Sequence, residues 1–187
     1  MKILAKSILI VLIFTVSLVS AQKNRVSSLA PTEPQNVQKS ILNSTAASGK
    51  HQTLLAILKA TDFGELLDRK GPFTVFAPSD LAFKNSIGTS VADLLHPDNK
   101  EELKALMGYH IIAGKLSASK ILKALCAGKG VTTFTTVQGD VITATMNGLD
   151  IILNDSFGNT ATIVVADSNQ RNGVIHEIDG VIKPVKM

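Results

Sequence analysis

The sequence contains no tryptophan, and Tyr109 is its only tyrosine. A hydrophobic core of this composition must be mostly aliphatic, with phenylalanine supplying the largest side chains. The shortage of aromatic rings also removes the stacking platform on which nucleotide bases bind. A protein that recognises bases or sugar rings by stacking is therefore excluded.

Cysteine is almost absent as well, because Cys126 is the only one. An internal disulfide is excluded, so the fold must be held together by packing. Two hypotheses remain for the thiol. We favour a partly buried free thiol at the end of a helix over an intermolecular disulfide.

Motifs for metal and phosphate chemistry are missing. The four histidines, at positions 51, 96, 110 and 176, are scattered, and the chain has neither an H-x-x-x-H nor a C-x-x-C motif. The acidic turns at Asn154-Asp155 and Asp167-Ser-Asn169 lack the spaced oxygen ligands of a calcium loop. Gly128-Lys-Gly130 lacks the spacing of a phosphate-binding loop. We predict no metal site and no cofactor.

The N-terminus has the pattern of a secretory signal peptide. Lys2 and Lys6 precede a short apolar run, and Val19-Ser-Ala21 places small residues before a cleavage point. An uncleaved anchor is the alternative, but the run is shorter than the roughly 20 apolar residues that span a bilayer. We predict a signal peptide over 1–21, cleavage near Ala21, and export to the periplasm or the medium.

The exported chain carries little net charge. Without residues 1–21 it has 17 basic and 15 acidic residues. Nucleic-acid binding requires a clustered basic face, so this balance argues against it. No later stretch is apolar enough to predict a transmembrane segment.

Helical patterns come first along the chain, and strand patterns follow. Residues 22–36 read as a flexible lead, and the remaining chain, 37–187, as one domain. Short helices are predicted around 37–42, 54–58, 62–71, 80–84, 90–95, 99–109 and 118–124, with Ser117 as a helix cap. Strands are predicted at 73–77, 131–137, 141–146, 149–153, 160–166, 174–178 and 181–185. Helices first and strands afterwards favour an α+β fold.

Three segments have unusually specific sequences. The first is Thr74-Val-Phe-Ala-Pro-Ser-Asp-Leu-Ala-Phe83, in which a buried strand ends at proline and Ser79 and Asp80 cap the next helix. The second is Tyr109-His-Ile-Ile-Ala-Gly-Lys115, and the third is Asn172-Gly-Val-Ile-His-Glu-Ile-Asp-Gly-Val-Ile182. In the third, a turn precedes a strand that alternates between two faces, with His176 among apolar residues.

Together and in this order, the three segments resemble the fasciclin domain, over about Val37 to Val185. The resemblance is to the single-domain, secreted, bacterial type. It implies a β-sandwich or wedge of about seven strands packed by several short helices. The motif positions that it marks as structural are Thr74, Phe76, Ala77, Pro78, Asp80, Phe83, Asn172, Gly173, His176 and Asp179. In a bacterial protein the glycosylation sequons at Asn43 and Asn154 would be unused.

The resemblance also implies a function in adhesion. In the family, the Tyr-His segment is associated with cell adhesion, which makes Tyr109 and His110 the candidate adhesion residues. Apolar neighbours on both sides favour a structural role for at least one of the two rings. A hydrolase could recruit Ser79 and Asp80 with His110 or His176, but the chain has no G-x-S-x-G motif, so we predict no catalysis.

The expected function is therefore a non-catalytic, secreted or cell-surface interaction module. Its partner would be a cell-surface or matrix protein or a polysaccharide. The protein is expected to be a monomer or a weak oligomer. A single copy of the domain offers no avidity, so its contact with a partner would be weak unless many copies are displayed close together. The alternative function is an extracytoplasmic carrier of an apolar small ligand.

Overall fold

The computed structural model describes residues 38–87 and 91–184. The predicted signal peptide (1–21) and lead (22–36) lie outside the described residues, as do the two ends of the predicted domain. All the α-helices of the described part lie between Ile41 and Ala127, with two strands among them, and Pro97–Asn99 form one 3₁₀ turn. The helices are α1 (Ile41–Ala47), α2 (Gln52–Ala60), α3 (Phe63–Arg69), α4 (Asp80–Ser86), α5 (Val91–Leu94), α6 (Lys100–Tyr109) and α7 (Ala118–Ala127).

Seven strands form one mixed sheet in the order β2-β1-β7-β6-β5-β4-β3. The strands are β1 (Phe73–Pro78), β2 (Ile111–Ala113), β3 (Val131–Thr135), β4 (Val141–Asn147), β5 (Asp150–Asn154), β6 (Thr160–Gln170) and β7 (Gly173–Ile178). Among the described strands, only β1 and β7 pair in parallel; the other pairs are antiparallel. The α+β prediction, with about seven strands and several short helices, is confirmed.

The long strand β6 joins the two halves of the sheet. Its first residues, Thr160 to Thr162, pair with β5, and its remainder pairs with β7. Two irregularities interrupt the β6–β7 pairing, between Ile163 and Val165 and between Val165 and Ser168. Bulges of this kind increase strand twist, which allows one strand to serve both halves of a bent sheet.

Two apolar cores lie on opposite faces of the central strands β1 and β7. Val75 and Ala77 face a core formed with the helices of the N-terminal half. Phe76 and Ile178 face a second core, which includes residues of α7 and of strands β4–β6. Both faces of this central pair are buried because one core packs against each face, as is usual for parallel strands. On β7, the face that carries Ile175 is buried as well as the face that carries His176, since Ile175 is only 7% exposed.

Most predicted elements are present, with boundaries that differ by a few residues, and Ser117 caps α7 as predicted. The strand predicted at 181–185 is wrong in its described part, because residues 181–184 join no strand, although Val181 and Ile182 are buried. Strand β2 was missed because three residues give no periodic signal. The thiol of Cys126 is exposed, not partly buried, because it lies on the outer side of α7.

No helix in the described ranges combines the length and the apolar character needed to cross a bilayer.

Candidate functional site

Tyr109 lies at the end of α6 and points into the second core. Its side chain is buried, with the residue 1% exposed. The phenol donates a hydrogen bond to the carbonyl oxygen of Val141 over 2.9 Å, which joins α6 to the start of β4. Burial, with smaller contributions from Asp155 and Asp140, raises the pKa of Tyr109 to about 12. The phenol therefore stays protonated and remains a donor.

His110 is equally enclosed, at 1% exposure. Its Nδ1 lies 2.8 Å from the carbonyl oxygen of Leu106, and because a carbonyl only accepts, Nδ1 carries the proton. Nε2 of His110 and the hydroxyl of Thr136 are buried without a hydrogen-bond partner among the described residues. A partner protein could not touch either ring of the Tyr109-His110 pair in this conformation. Direct adhesion by this pair stays a prediction, and its burial argues against it.

Burial lowers the pKa of His110 from 6.5 to about 4, against smaller opposing effects of Leu106 and Asp155. Between pH 6.5 and about pH 4, His110 binds a proton in the unfolded chain but not in the folded chain. The free energy of unfolding therefore falls as the pH falls through this range. The loss is about 3 kcal/mol in total, at roughly 1.4 kcal/mol per pKa unit. We expect urea unfolding from pH 7 to pH 4 to show this decline.

The His110→Gln variant should decline less over the same range, because glutamine does not titrate. His96→Gln is the matched control, since His96 is largely exposed. Equal declines for wild type and His110→Gln would contradict the assignment. The pKa of His176 is also lowered by burial, so some decline should remain in His110→Gln.

The motif residues Ser79 and Asp80 cap two different helices. The Ser79 hydroxyl accepts from the backbone N–H of Ala82 over 3.1 Å, which caps α4 as predicted. The Asp80 carboxylate instead accepts from the backbone N–H groups of Gln52 (3.1 Å) and Thr53 (2.7 Å), at the start of α2. The expectation that both cap the same helix is wrong for Asp80, because the fold places α2 beside it.

The charge of Asp80 is consistent with this role. Burial alone would raise the pKa of this carboxyl, but the hydrogen bonds from Thr53 and Gln52 outweigh it and lower the pKa. Asp80 is therefore an ionised cap at a helix N-terminus, where the helix dipole favours a negative charge.

His176 is a satisfied core histidine, as its apolar neighbours predicted. Its Nε2 donates to the carbonyl oxygen of Leu116 over 2.8 Å, and its Nδ1 accepts from the backbone N–H of Asp167 over 3.2 Å. The ring stacks on Phe76 with centroids 5.8 Å apart. Both nitrogens are occupied in the neutral form, so His176 has no free nitrogen to act as a base.

Other motif residues also hold the architecture. The Asn172 side chain accepts from the N–H of Ile41 and donates to the carbonyl oxygens of Leu67 and Lys70. A Cβ atom on Gly173 would lie 1.9 Å from the carbonyl oxygen of Phe73, so only glycine fits there.

Further motif positions make contacts of the same kind. Thr74 donates to the carbonyl oxygen of Gly114 over 2.7 Å, and the Asp179 carboxylate accepts from the N–H of Thr162 over 2.6 Å. Ala77, Pro78 and Phe83 are buried. The motif positions thus form the frame of the domain.

The residue types of a hydrolase are not brought together. No histidine nitrogen in the described ranges hydrogen-bonds a serine hydroxyl, and the Ser79 hydroxyl is engaged as a helix cap. The described residues likewise contain no cluster of three or more His, Cys, Asp or Glu that could hold a metal ion.

Strands β3–β6 present a surface of mostly threonine and aliphatic side chains on the side away from the second core, and the exposed Asp150, paired with Asn147, lies at the hairpin end of that side. Cross-strand neighbours form two rows on this surface. The first row is Val131, Thr145, Ile152 and Thr162, and the second is Thr133, Thr143, Asn154 and Thr160. We call these eight residues the outer face.

Exposed large apolar side chains are concentrated in the part of the chain that forms strands β3–β6. Eight large apolar side chains of the described residues are exposed, and seven of them fall between Val131 and Val165. Leu149 and Phe157, in the turns that flank β5, are 94% and 61% exposed. Within the outer face, the Asn154 amide donates to the Thr145 hydroxyl over 3.0 Å, so the glycosylation sequon contributes a side chain to this surface.

A cleft of about 230 Å³ lies between the α1–α2 region and strands β6 and β7. His51 and Glu177 meet in it, with His51 Nε2 3.8 Å from a Glu177 carboxylate oxygen. A second cleft of the same volume, about 230 Å³, is lined by residues that include Leu95, His96 and Leu103. Both are below the roughly 300–1,000 Å³ of typical ligand pockets, so neither favours an apolar carrier.

Sequence reasoning missed both the cleft and the outer face. His51 and Glu177 are far apart in the chain, so no local pattern links them. The outer face did leave a signal, because Thr133-Phe-Thr135, Thr143-Ala-Thr145 and Thr160-Ala-Thr162 repeat threonine at the two-residue period of a strand.

Comparison with known proteins gives a consistent result. A sequence profile described as "Fasciclin domain" matches residues 49–184. The chain is 33% identical to Protein sll1483 of Synechocystis over 165 residues, 88% of this chain and 83% of that protein. It is 27% identical to Immunogenic protein MPB70 of Mycobacterium bovis, over 82% of this chain and 76% of that protein.

A solved structure shares the fold. It is a FAS1 domain pair from the insect cell adhesion molecule Fasciclin I, with a TM-score of 0.67 and 16% sequence identity. The match covers 79% of this chain and 52% of that chain. The chain therefore spans about half of the solved domain pair.

Proposed function

The chain belongs to the fasciclin domain family, and from this premise we propose that it is a non-catalytic interaction module that adheres through its outer face. It acts outside the cytoplasm, in the periplasm or the medium, after cleavage near Ala21. Its partner is a cell-surface or matrix protein or a polysaccharide.

The fold-sharing domain pair from an insect cell adhesion molecule supports adhesion as the class of function. The candidate residues Tyr109 and His110 are both 1% exposed, so the proposal moves the contact away from them. The contribution of Tyr109 to adhesion is indirect, because its phenol holds α6 against β4, one of the strands that carry the outer face.

The observation that carries the proposal is the absence of charge from the eight residues of the outer face, with Asp150 at the next cross-strand pair, at the hairpin end. Its eight residues are threonine, valine, isoleucine and asparagine, in a chain in which 18% of residues are charged. The centres of protein interfaces are depleted of charged residues. The outer face contains the exposed Val131, and Leu149 and Phe157 are exposed in the turns that flank β5; exposed apolar surface of this kind can mark an interaction site.

Binding of the purified protein to whole cells and envelope extracts tests the proposal. Thr133→Lys and Thr160→Lys each place one charge on an exposed position of the outer face. We expect each to weaken saturable binding by at least about tenfold, roughly 1.4 kcal/mol, because the charge must be desolvated in the complex.

Asn85→Lys is the matched control, since it adds the same charge at an exposed position of α4. It should bind like the wild type, and all three variants should melt at the wild-type temperature. Unchanged binding by both threonine variants would refute the outer face as the contact surface. Absence of saturable binding by the wild type would refute adhesion to these components.

A further inference from the structure

His51 is held in one orientation by a buried hydrogen bond. The residue is 6% exposed, and its Nδ1 lies 3.0 Å from the carbonyl oxygen of Pro78. Because that oxygen only accepts, Nδ1 carries the proton, and in the neutral ring Nε2 has a free lone pair. Nε2 points towards Glu177, on the wall of the cleft.

The pair of atoms that meet there lacks a donor. Nε2 of neutral His51 and the Glu177 carboxylate are both acceptors, and they lie 3.8 Å apart, too far for a hydrogen bond. Neither side chain makes another hydrogen bond at these atoms among the described residues. A donor nitrogen at the usual distance of about 2.7–3.2 Å from each would satisfy both.

The local charges favour a cationic donor. With His51 neutral, the nearby ionised groups are Lys50, Asp80 and Glu177, which sum to one negative charge. The side chains of Val165 and Ile175 add apolar wall to the same cleft. Acceptors at one end and an apolar wall beside them suit a primary ammonium on an alkyl stem.

We propose that this cleft binds a primary alkylammonium group, with the nitrogen between His51 Nε2 and Glu177 and the stem along Val165 and Ile175. The group is either a free amine or a lysine side chain of another protein. Two protein ligands are too few for a dedicated metal site, which argues against a divalent cation as the occupant. The site shares no residue with the outer face, so it stands or falls independently of the proposed adhesion.

The test is a titration of the purified protein with n-butylammonium, followed in proton–nitrogen correlation spectra of the histidine rings at about pH 8. We expect saturable shifts of His51 with a dissociation constant on the order of 1–10 mM, as suits a ligand of five heavy atoms. n-Butanol, the neutral analogue, should bind at least about tenfold more weakly.

Glu177→Gln should weaken n-butylammonium binding at least about tenfold, whereas Glu101→Gln, the same change at an exposed position of α6, should not. Lys50→Ala should tighten binding, because it removes a like charge from the lining of the cleft. An acetylated Gly-Lys-Gly amide distinguishes the sources: binding at least as tight as n-butylammonium indicates a protein lysine, and weaker binding indicates a free amine.

Three results would overturn the proposal. The first is equal binding of n-butylammonium to wild type and Glu177→Gln. The second is a response to zinc ions with none to n-butylammonium. The third is a protonated His51 Nε2 in the ligand-free protein at about pH 8, since His51 would then itself supply the donor that the pair lacks.

Discussion

Replacing Phe76 with alanine is expected to lower the free energy of unfolding by about 3–5 kcal/mol. Phe76 lies in the central strand β1, is fully buried at 0% exposure, and stacks on His176. Its removal would leave a cavity in the second core and take away the ring that packs beside a fully buried histidine. Chemical denaturation at neutral pH measures the loss directly.

Phe157→Ala is the matched control, because it deletes the same side chain where it is 61% exposed. It should change the free energy of unfolding by less than about 0.5 kcal/mol. A Phe76→Ala protein as stable as Phe157→Ala would mean that Phe76 does not lie in the core. A domain of this size has only about 5–15 kcal/mol of stability, so the Phe76 variant should melt at a clearly lower temperature.

Tyr109→Ala is expected to cost about 3–5 kcal/mol as well, for two reasons. It empties a site that is 1% exposed, and it removes the donor to the carbonyl oxygen of Val141. Tyr109→Phe keeps the ring and removes only the hydroxyl, so it should cost about 1 kcal/mol. Thermal melts of the two variants separate the packing contribution from the hydrogen bond.

The same pair of variants tests what the Tyr-His motif does. Tyr109→Ala should lose adhesion in proportion to its unfolded fraction, whereas Tyr109→Phe should bind with wild-type affinity at temperatures where it is folded. Loss of binding by a fully folded Tyr109→Phe would show that the phenol contacts the partner, contrary to its burial.

Local patterns were sufficient for much of the fold. The turn residues at Asn147-Gly148 and the alternating residues around them predicted the β4–β5 hairpin, since both signals act over a few residues. Ser117 and Ser79 were identified as helix caps for the same reason: a cap bonds an N–H group two or three residues ahead. His176 was placed in the core by the period of a single strand.

Errors arose where a partner lies far along the chain. Asp80 caps α2, 28 residues before it, and this follows only from the packing of α2 beside α4. The residues from Val181 onwards have strand-like composition, yet they make no strand in the described range, because burial without a pairing partner does not form one. Strand β2 exists because β1 offers it an edge, and not because its three residues favour it.

The candidate sites divide in the same way. The sequence alone determined the family and the α+β class, because motifs and periodicity are properties of the chain itself. Tertiary structure decided that Tyr109 and His110 are buried and that threonines of three strands, β3, β4 and β6, share one surface. It also brought His51 to within 3.8 Å of Glu177 across 126 positions of sequence. The exposure of a side chain and its distance from another depend on which helices and strands pack together. That packing is decided by contacts between distant parts of the chain, so no local stretch of residues predicts it.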